Sequence, residues 1–327
     1  MRARLALVAF LGPVAIGVLT GVMKGESSVS GDSILRQTFD LGGQRSQQAQ
    51  YYLMESRLIY YALDGARTGT DVYRLRLKCV PAKLAGKEGD EYTCVQFTFQ
   101  QGEAAETLIP ALAGWSYVFK RTETGMDEKG QVLSIEHSKF ENLVDGNGKA
   151  IPPDKSYQIY NTFIDFHSFC NIFAEKTPSG RGIQDLKWIG QKIVHAAAFT
   201  EPPVNLGSNV SEGSTFKNGE ITLELKGLSL VNEAPCAVVG YDSGESHFKM
   251  IMNLLPNMEI RSVGSSHYMG DIYIDLATNW VQKATLDEFV VAETTLPIAP
   301  NKMNSVIERH SLIRNVSKEE FTQKELR

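Results

Sequence analysis

The sequence predicts a mainly β fold with a small α insertion: a curved antiparallel meander, or a partial barrel or sandwich, with one or two helices packed on it. Three observations carry this prediction. Segments rich in aromatic and β-branched residues alternate with turns of Gly, Asp, Asn and Pro, which is typical of strands. One mid-chain stretch has helical spacing instead. The connections in the C-terminal half are short, and tight turns join antiparallel strands.

The chain begins with a targeting segment, residues 1–24. Arg2 and Arg4 precede an uncharged run, Leu5–Met23. This pattern predicts a cleaved signal peptide or a signal anchor, and residues 25–38 are interpreted as a linker. Both alternatives stay open, because the run is about long enough to cross a bilayer as a helix. Either way the positive-inside rule predicts an exported protein, periplasmic or secreted, that meets the membrane only through this segment.

Residues 39–150 form the predicted N-terminal β region. Its expected strands lie in YYLMESRLIYYAL, DVYRLRLKCV, YTCVQFTF, WSYVFKRT and QVLSIEHSKF. Cys79 and Cys94 flank a turn-rich loop, so they are the disulfide candidates in an exported protein. Geometry rather than sequence decides such a pairing, and a disulfide and two free thiols both stay open.

Residues 151–200 form the predicted helical segment. A second helix is expected at IQDLKWIGQKIV, after the main one. The apolar positions of the main helix recur every three or four residues and are predicted to face the core. They are Ile159, Phe163, Phe166, Cys170 and Phe173.

Asp165 and His167 raise the question of an active site, since Asp and His are residue types of metal sites and nucleophilic catalysis. In a helix, residues two apart point about 200° away from each other. Metal ligands must instead converge on one point. We therefore predict a packed helix with a hydrogen-bonded histidine on its flank, beside Tyr160 and Ile164. His167 as a ligand or base is the alternative.

Residues 201–318 form the predicted C-terminal antiparallel β meander of about seven strands, and residues 319–327 a charged tail. VNLGSNVSEGSTF, ITLELKGL and PCAVVGYD lie in this region. Residues 201–295 resemble uncharacterised secreted bacterial β-rich proteins in these patterns. GDIYIDLATNWVQKATL is also similar to a hairpin of periplasmic lipoprotein-carrier half-barrels, which implies a lipid-carrying role. Neither resemblance assigns a catalytic residue here.

Ser243 lies in GYDSGES, which resembles the nucleophile turn of trypsin-like proteases. A hydroxyl becomes a nucleophile only beside a base and an oxyanion hole. Asp-Ser-Gly is equally the composition of a tight hairpin turn. The weak catalytic candidates are Asp165, His167, His195, Ser243 and His267. The sequence contains no HExxH, P-loop or GxGxxG motif, so no metal site and no cofactor are predicted.

Composition bounds the function. The net charge is −5 and the chain has no dense run of Lys and Arg, which argues against a nucleic-acid partner. The leading hypothesis is an exported non-catalytic protein that binds an apolar ligand or an envelope protein, or supports envelope structure. The alternative is an exported hydrolase, metal-assisted or serine-based. The ligand hypothesis requires that inward positions leave a cavity, and the inward positions considered are Leu223, Leu225, Met250 and Met252.

Overall fold

The computed structural model describes residues 36–120, 135–177, 180–201, 210–255, 258–297 and 301–323. The side chains of residues 253–255 and 258 are not described. The predicted targeting segment, nearly all of the linker and the end of the charged tail lie outside these ranges.

The described part of the chain is mainly β, with one long helix on an open, curved antiparallel sheet, which confirms the predicted fold class. The strands before the long helix are β1 (Gln50–Tyr61), β2 (Arg67–Val80), β3 (Asp90–Gln101), β4 (Thr107–Leu108) and β5 (Trp115–Phe119). Those after it are β6 (Lys192–Ala196), β7 (Phe199–Glu201), β8 (Thr215–Asn218), β9 (Ile221–Val231), β10 (Ala234–Asp242), β11 (Ser246–Leu255), β12 (Met258–Asp275), β13 (Val281–Thr295) and β14 (Lys302–Asn315). The helices are α1 (Ala82–Ala85), α2 (Pro153–Cys170) and α3 (Lys318–Gln323).

The two predicted β regions form one sheet. Its main order is β4-β3-β2-β1-β14-β13-β12-β10-β9-β6, and β5 pairs with β3. Strand β1 joins the regions, because it pairs antiparallel with both β2 and β14. Strand β11 leaves this path: it pairs with β12 and β8, and β8 pairs with β7. Strand β14 therefore lies beside β1 in the sheet, although the two are far apart in the chain.

Helix α2 lies on the inner face of the sheet. Pro152 and Pro153 start it, since proline has a φ suited to the first turn and lacks the N–H that would be unpaired there. Its whole predicted stripe is buried. Phe166 packs edge-on against Tyr52 of β1, and Phe169 stacks on Tyr241 of β10 at 5.0 Å between ring centroids. The sheet therefore curves around the helix.

The second predicted helix is wrong. The segment IQDLKWIGQKIV contains a single 3₁₀ turn, Ile183–Asp185, and then enters β6. Gly190 has φ +85°, which ends any helix there. Ile193 pairs with Leu223 of β9, so its apolar side chain is buried in the sheet and not on a helix.

The strand expected at QVLSIEHSKF is also wrong in its described part. Its first residues lie outside the described ranges, and His137–Phe140 form a 3₁₀ helix. Phe140 is buried and packs edge-on against Phe163 of α2, with ring centroids 5.3 Å apart. Burial on the helix, rather than pairing in the sheet, satisfies the apolar residues of this segment.

Candidate functional site

His167 lies on a flank of helix α2 that packs into the core. Its side chain is 0% exposed and stacks on Phe119. The Asn171 amide donates to Nδ1 at 2.8 Å, and Tyr117 bonds Nε2 at 2.7 Å. Arg45 donates to Asn171 Oδ1 at 2.9 Å. That bond orients the amide, so Nε2 carries the proton of the neutral ring.

Burial holds the pKa of His167 well below its usual value, and the Arg45 guanidinium lowers it further. Both ring nitrogens already have partners inside the protein. Arg45 also donates to the carbonyl oxygen of Cys170, lies 4.4 Å from the centre of the Trp280 ring and pairs with Asp90 at 3.4 Å. The group around His167 is thus a closed polar network in the core.

Cys79 and Cys94 do not form the disulfide that the sequence left open. Both are free and buried, as are Cys170 and Cys236. The strand register places Tyr92 opposite Cys79 and Leu77 opposite Cys94. Diagonal neighbours in a sheet have Cβ atoms several ångströms too far apart for a disulfide. Burial raises the pKa of the Cys94 thiol to about 12, so it stays protonated.

Ser243 lies in the short turn between β10 and β11, which is not a hairpin, because both strands pair with β12 and not with each other. It is 1% exposed, and its Oγ donates to the carbonyl of Gly244 and accepts from the N–H of Tyr268 at 2.9 Å. Asp242 accepts from the N–H of Gly244 at 2.8 Å, which is the turn chemistry that Asp provides. The serine oxygen therefore bonds the backbone on both sides.

His267 bonds this same aspartate. Its Nε2 lies 2.8 Å from Asp242 Oδ1, and both side chains are exposed. Asp242 of this pair directly precedes Ser243 in the chain, and His267 reaches it from β12. The serine hydroxyl, however, is hydrogen-bonded to the backbone and not to the imidazole. The arrangement lacks the base-to-hydroxyl hydrogen bond that a serine nucleophile needs.

Asp165 and His195 are the two sequence candidates that line a cavity. The cavity has a volume of about 620 Å³ and lies between α2 and the inner face of the sheet. Its walls are mainly apolar and aromatic, and include Ile164, Phe169, Phe173, Phe199, Phe216, Phe248, Met250, Tyr268, Val290 and Ile307. Of the inward positions considered from the sequence, Met250 lines it, whereas Leu223 and Leu225 are packed in the core.

Three charged side chains meet on one wall of this cavity. Arg309 of β14 donates through Nη1 to Asp165 and through Nε to Glu288 of β13, at 2.6 Å in each case. All three are nearly buried. Burial raises the pKa of Asp165 to about 6, although Arg309 opposes the shift. Burial alone lowers the pKa of Arg309, but the two carboxylates raise it more.

Sequence reasoning missed Arg309 and Glu288. They lie opposite each other across β13 and β14, and Leu58 of β1 is the other neighbour of Arg309. Strand alternation gives the missing signal, because Arg309 shares its face with buried Ser311 and Ile313. A charged residue at an inward position is uncommon unless it is paired. The second charge of the pair becomes recognisable only once the strand register is known.

His195 lies in the wall beside Phe173, with the ring centroids 5.0 Å apart. Its Nδ1 bonds the carbonyl oxygen of Arg181 at 3.0 Å. Burial lowers the pKa of its imidazole, and the backbone bond opposes this. The ring is therefore a neutral part of the wall.

A second hollow, of about 800 Å³, lies on the outer face of β1, β2, β13 and β14. Several of its charged residues pair with one another: Arg74 bonds Glu55 and Glu106 at 2.9 Å, and His310 bonds Asp287 at 2.6 Å. The inner cavity, whose walls are mainly apolar, is the better candidate site for a small molecule.

No three His, Cys, Asp or Glu side chains in the described ranges cluster as a metal site would require. Among the helices that these ranges contain, none is both long enough and apolar enough to cross a membrane.

Comparisons with known proteins establish no family. No family model and no curated protein matches the chain. Among solved structures it is similar to OprB of Pseudomonas putida, with 8% identity, coverage of 82% of this chain and 94% of that one, and a TM-score of 0.23. It is also similar to OmpT, an outer membrane protein of Vibrio cholerae, with 8% identity, coverage of 82% and 99%, and a TM-score of 0.15. At these TM-scores neither likeness indicates a function.

Proposed function

We propose that this chain is an exported, non-catalytic β-rich protein that binds an apolar ligand between α2 and the sheet. The observation that carries the proposal is the cavity of about 620 Å³. Small-molecule sites have volumes of roughly 300–1,000 Å³, mostly apolar walls and a few placed polar groups. Asp165, Glu288 and Arg309 supply such polar groups here.

Packing supports the proposal. Protein cores are close-packed, with few voids larger than a water molecule. The same helix and sheet achieve this next to the cavity, where Phe163 stacks on Phe97 with ring centroids 5.7 Å apart. The cavity beside Ile164 is partly open to solvent, so its apolar walls stay in contact with water unless an occupant covers them.

The exported location rests on the N-terminal sequence, Arg2 and Arg4 followed by the uncharged run Leu5–Met23. Mass spectrometry of protein recovered from the producing cells tests it. A mature N-terminus close after Lys24, in an extracytoplasmic fraction, agrees with export and cleavage. An intact Met1 in the cytoplasmic fraction contradicts export.

The alternative, an exported hydrolase, has less support. Of its five candidate residues, Asp165 and His195 line the cavity, whereas His167 lies in the closed network. Ser243 lies in the turn between β10 and β11, and His267 lies on β12, where it bonds Asp242. Catalysis requires aligned groups within hydrogen-bond reach of one reacting atom. Hydrolysis of an ester panel that Ser243→Ala abolishes would favour this alternative.

Titration with a neutral fluorescent probe such as N-phenylnaphthylamine tests ligand binding directly. We expect saturable binding to the wild type. Ile164→Trp places an indole in the cavity and should weaken probe binding at least about tenfold. The matched control is Leu230→Trp, because Leu230 is 71% exposed on β9 and lies away from the cavity.

Circular dichroism and urea unfolding of each variant establish that it folds. Absence of saturable binding to the wild type would contradict the proposal. Equal affinities of wild type, Ile164→Trp and Leu230→Trp would contradict it as well, since the probe would then bind elsewhere.

A further inference from the structure

Acidic side chains outnumber basic ones in the described wall of the cavity. Among the described residues of its wall, the carboxylates are Asp165, Glu201 and Glu288, whereas Arg309 is the one side chain with a fixed positive charge. The neutral imidazole of His195 does not change this balance. The described part of this wall thus carries two more carboxyl groups than cationic side chains.

The guanidinium of Arg309 is already engaged. Its Nε and Nη1 each donate to a carboxylate at 2.6 Å, one on β13 and one on α2. An anionic ligand would have to compete with these two carboxylates for one cation. Like charges brought together in a partly desolvated site repel one another strongly. The wall therefore selects against anionic head groups.

Among the described residues no cation pairs with Glu201 of β7, so its carboxyl group is not balanced in this way. It accepts a hydrogen bond from the amide of Asn218 at 2.8 Å, and an amide is neutral. Burial raises the pKa of this carboxyl, and the bond from Asn218 opposes the shift. An ammonium group beside it would supply both a charge and hydrogen-bond donors.

Two aromatic rings connect these carboxylates. Tyr157 and Tyr268 both line the cavity, and burial raises the pKa of each phenol. Glu288 and Glu201 raise both values further, so the two carboxylates act on the same rings. A cation over an aromatic face is attracted by the negative charge of that face. Carboxylates and rings favour the same sign of ligand charge.

We propose that the ligand of this cavity is a cationic amphiphile, with its apolar chain among the aromatic side chains and a positively charged head group beside Glu201 and Glu288. This inference rests on the proposed function, because it specifies the charge of the ligand that the cavity binds. It excludes fatty-acid anions as the preferred ligand.

The test is displacement of the neutral probe by decylammonium, decanol and decanoate. All three have the same chain and are used below their micelle-forming concentrations. We expect the ammonium to bind tightest, the alcohol to be intermediate and the carboxylate to bind at least about tenfold more weakly than the ammonium at neutral pH.

A charge-removing variant locates the effect. Glu201→Gln removes one carboxylate and leaves the contacts of Arg309 intact, so decylammonium should bind several-fold more weakly while decanol is unchanged. Glu259→Gln is the control, because it makes the same change in net charge at an exposed residue of β12 that pairs with Arg261.

The outcomes separate the two proposals. Failure of the probe to bind contradicts the ligand-binding function itself. Probe binding with any other order of the three amphiphiles leaves that function standing and overturns the charge preference. Unchanged decylammonium affinity in Glu201→Gln also overturns it.

Discussion

Helix α2 has two flanks that the protein treats differently. On the closed flank, Phe163 and His167 pack against β3, β5 and the 3₁₀ helix, and the polar atoms of His167 are bonded inside the core. On the open flank, Ile164, Asp165 and Ser168 line a cavity of about 620 Å³. Both flanks contain a titratable residue among apolar ones. The difference shows that a titratable residue indicates a ligand site only where free volume remains beside it.

The strands that face each flank explain the difference. Opposite the closed flank stand the rings of Phe97, Trp115 and Tyr117, which fill the space around Phe163. Opposite the open flank stand Glu288 and Arg309, whose ion pairs hold the side chains against the wall. Aromatic packing closes one flank, and a charged wall keeps the other open.

The largest expected contrast is in packing. Phe163→Ala should lower the free energy of unfolding by about 3–5 kcal/mol, because it leaves a cavity among surrounding rings. Ile164→Ala changes the next residue in the chain, which lies on the open flank. It should lower the free energy of unfolding by only about 1 kcal/mol, since this side chain already borders a cavity. Urea unfolding measures both. Equal losses would mean that the two flanks are packed alike.

The charged wall gives the next effect. Arg309→Met should destabilise the protein by about 3 kcal/mol at neutral pH, because it leaves Asp165 and Glu288 without their cation in a buried wall. Arg261→Met is the control: it removes a pair with Glu259 that is about half exposed, and should cost less than about 1 kcal/mol. A loss at Arg309 as small as the control would show that solvent fully screens the wall.

The buried imidazole of the closed flank predicts a pH dependence. Burial depresses the pKa of His167 in the folded protein. Below about pH 6.5 the imidazole is therefore protonated in the unfolded chain but stays neutral in the folded protein. Stability therefore falls as pH falls below about 6.5, by up to roughly 1.4 kcal/mol per pH unit for this group. His167→Gln should be less stable at pH 8 and should lose less stability between pH 7 and 5.

In His167→Gln, His195 still contributes to the dependence of stability on pH, since burial also lowers the pKa of its imidazole. The exposed residue His247 provides the control, and His247→Gln should keep the wild-type slope. An unchanged slope in His167→Gln would show that the folded protein protonates His167 readily.

The smallest expected effect concerns the cysteines. All four are free, so a reducing agent should leave the melting temperature of purified protein unchanged within about 1 °C. Thiol titration in denaturant should count four thiols. A stability loss on reduction, with fewer thiols counted before it, would mean that Cys79 and Cys94 pair after all.

The sequence predicted the strands of both β regions and the main helix, because their periodic patterns are local. It also separated Asp165 from His167, since helix geometry alone fixes that angle. Sequence reasoning failed where contacts between distant segments decide the local structure. The segment around Ile193 has an apolar pattern that suits helix or strand, and only its pairing with β9 makes it a strand. The register that offsets Cys79 from Cys94 is set by strand pairing and leaves no signal in sequence.

The cavity itself was less accessible to sequence reasoning. Its charged wall combines Asp165 of α2 with Glu288 and Arg309 of two strands far along the chain. The alternation of β14 marks Arg309 as inward, but nothing local says which residue it pairs with. The unfilled volume is a property of the whole packed arrangement, which no single segment contains.

Crystallography under xenon pressure tests the central claim, that the two flanks of α2 differ in free space, most directly. Xenon enters apolar cavities and leaves packed cores empty. We predict xenon density beside Ile164, between α2 and strands β12 to β14, and none around Phe163. Xenon density beside Phe163 would contradict the account. So would a crystal structure without xenon in which side chains fill the space beside Ile164.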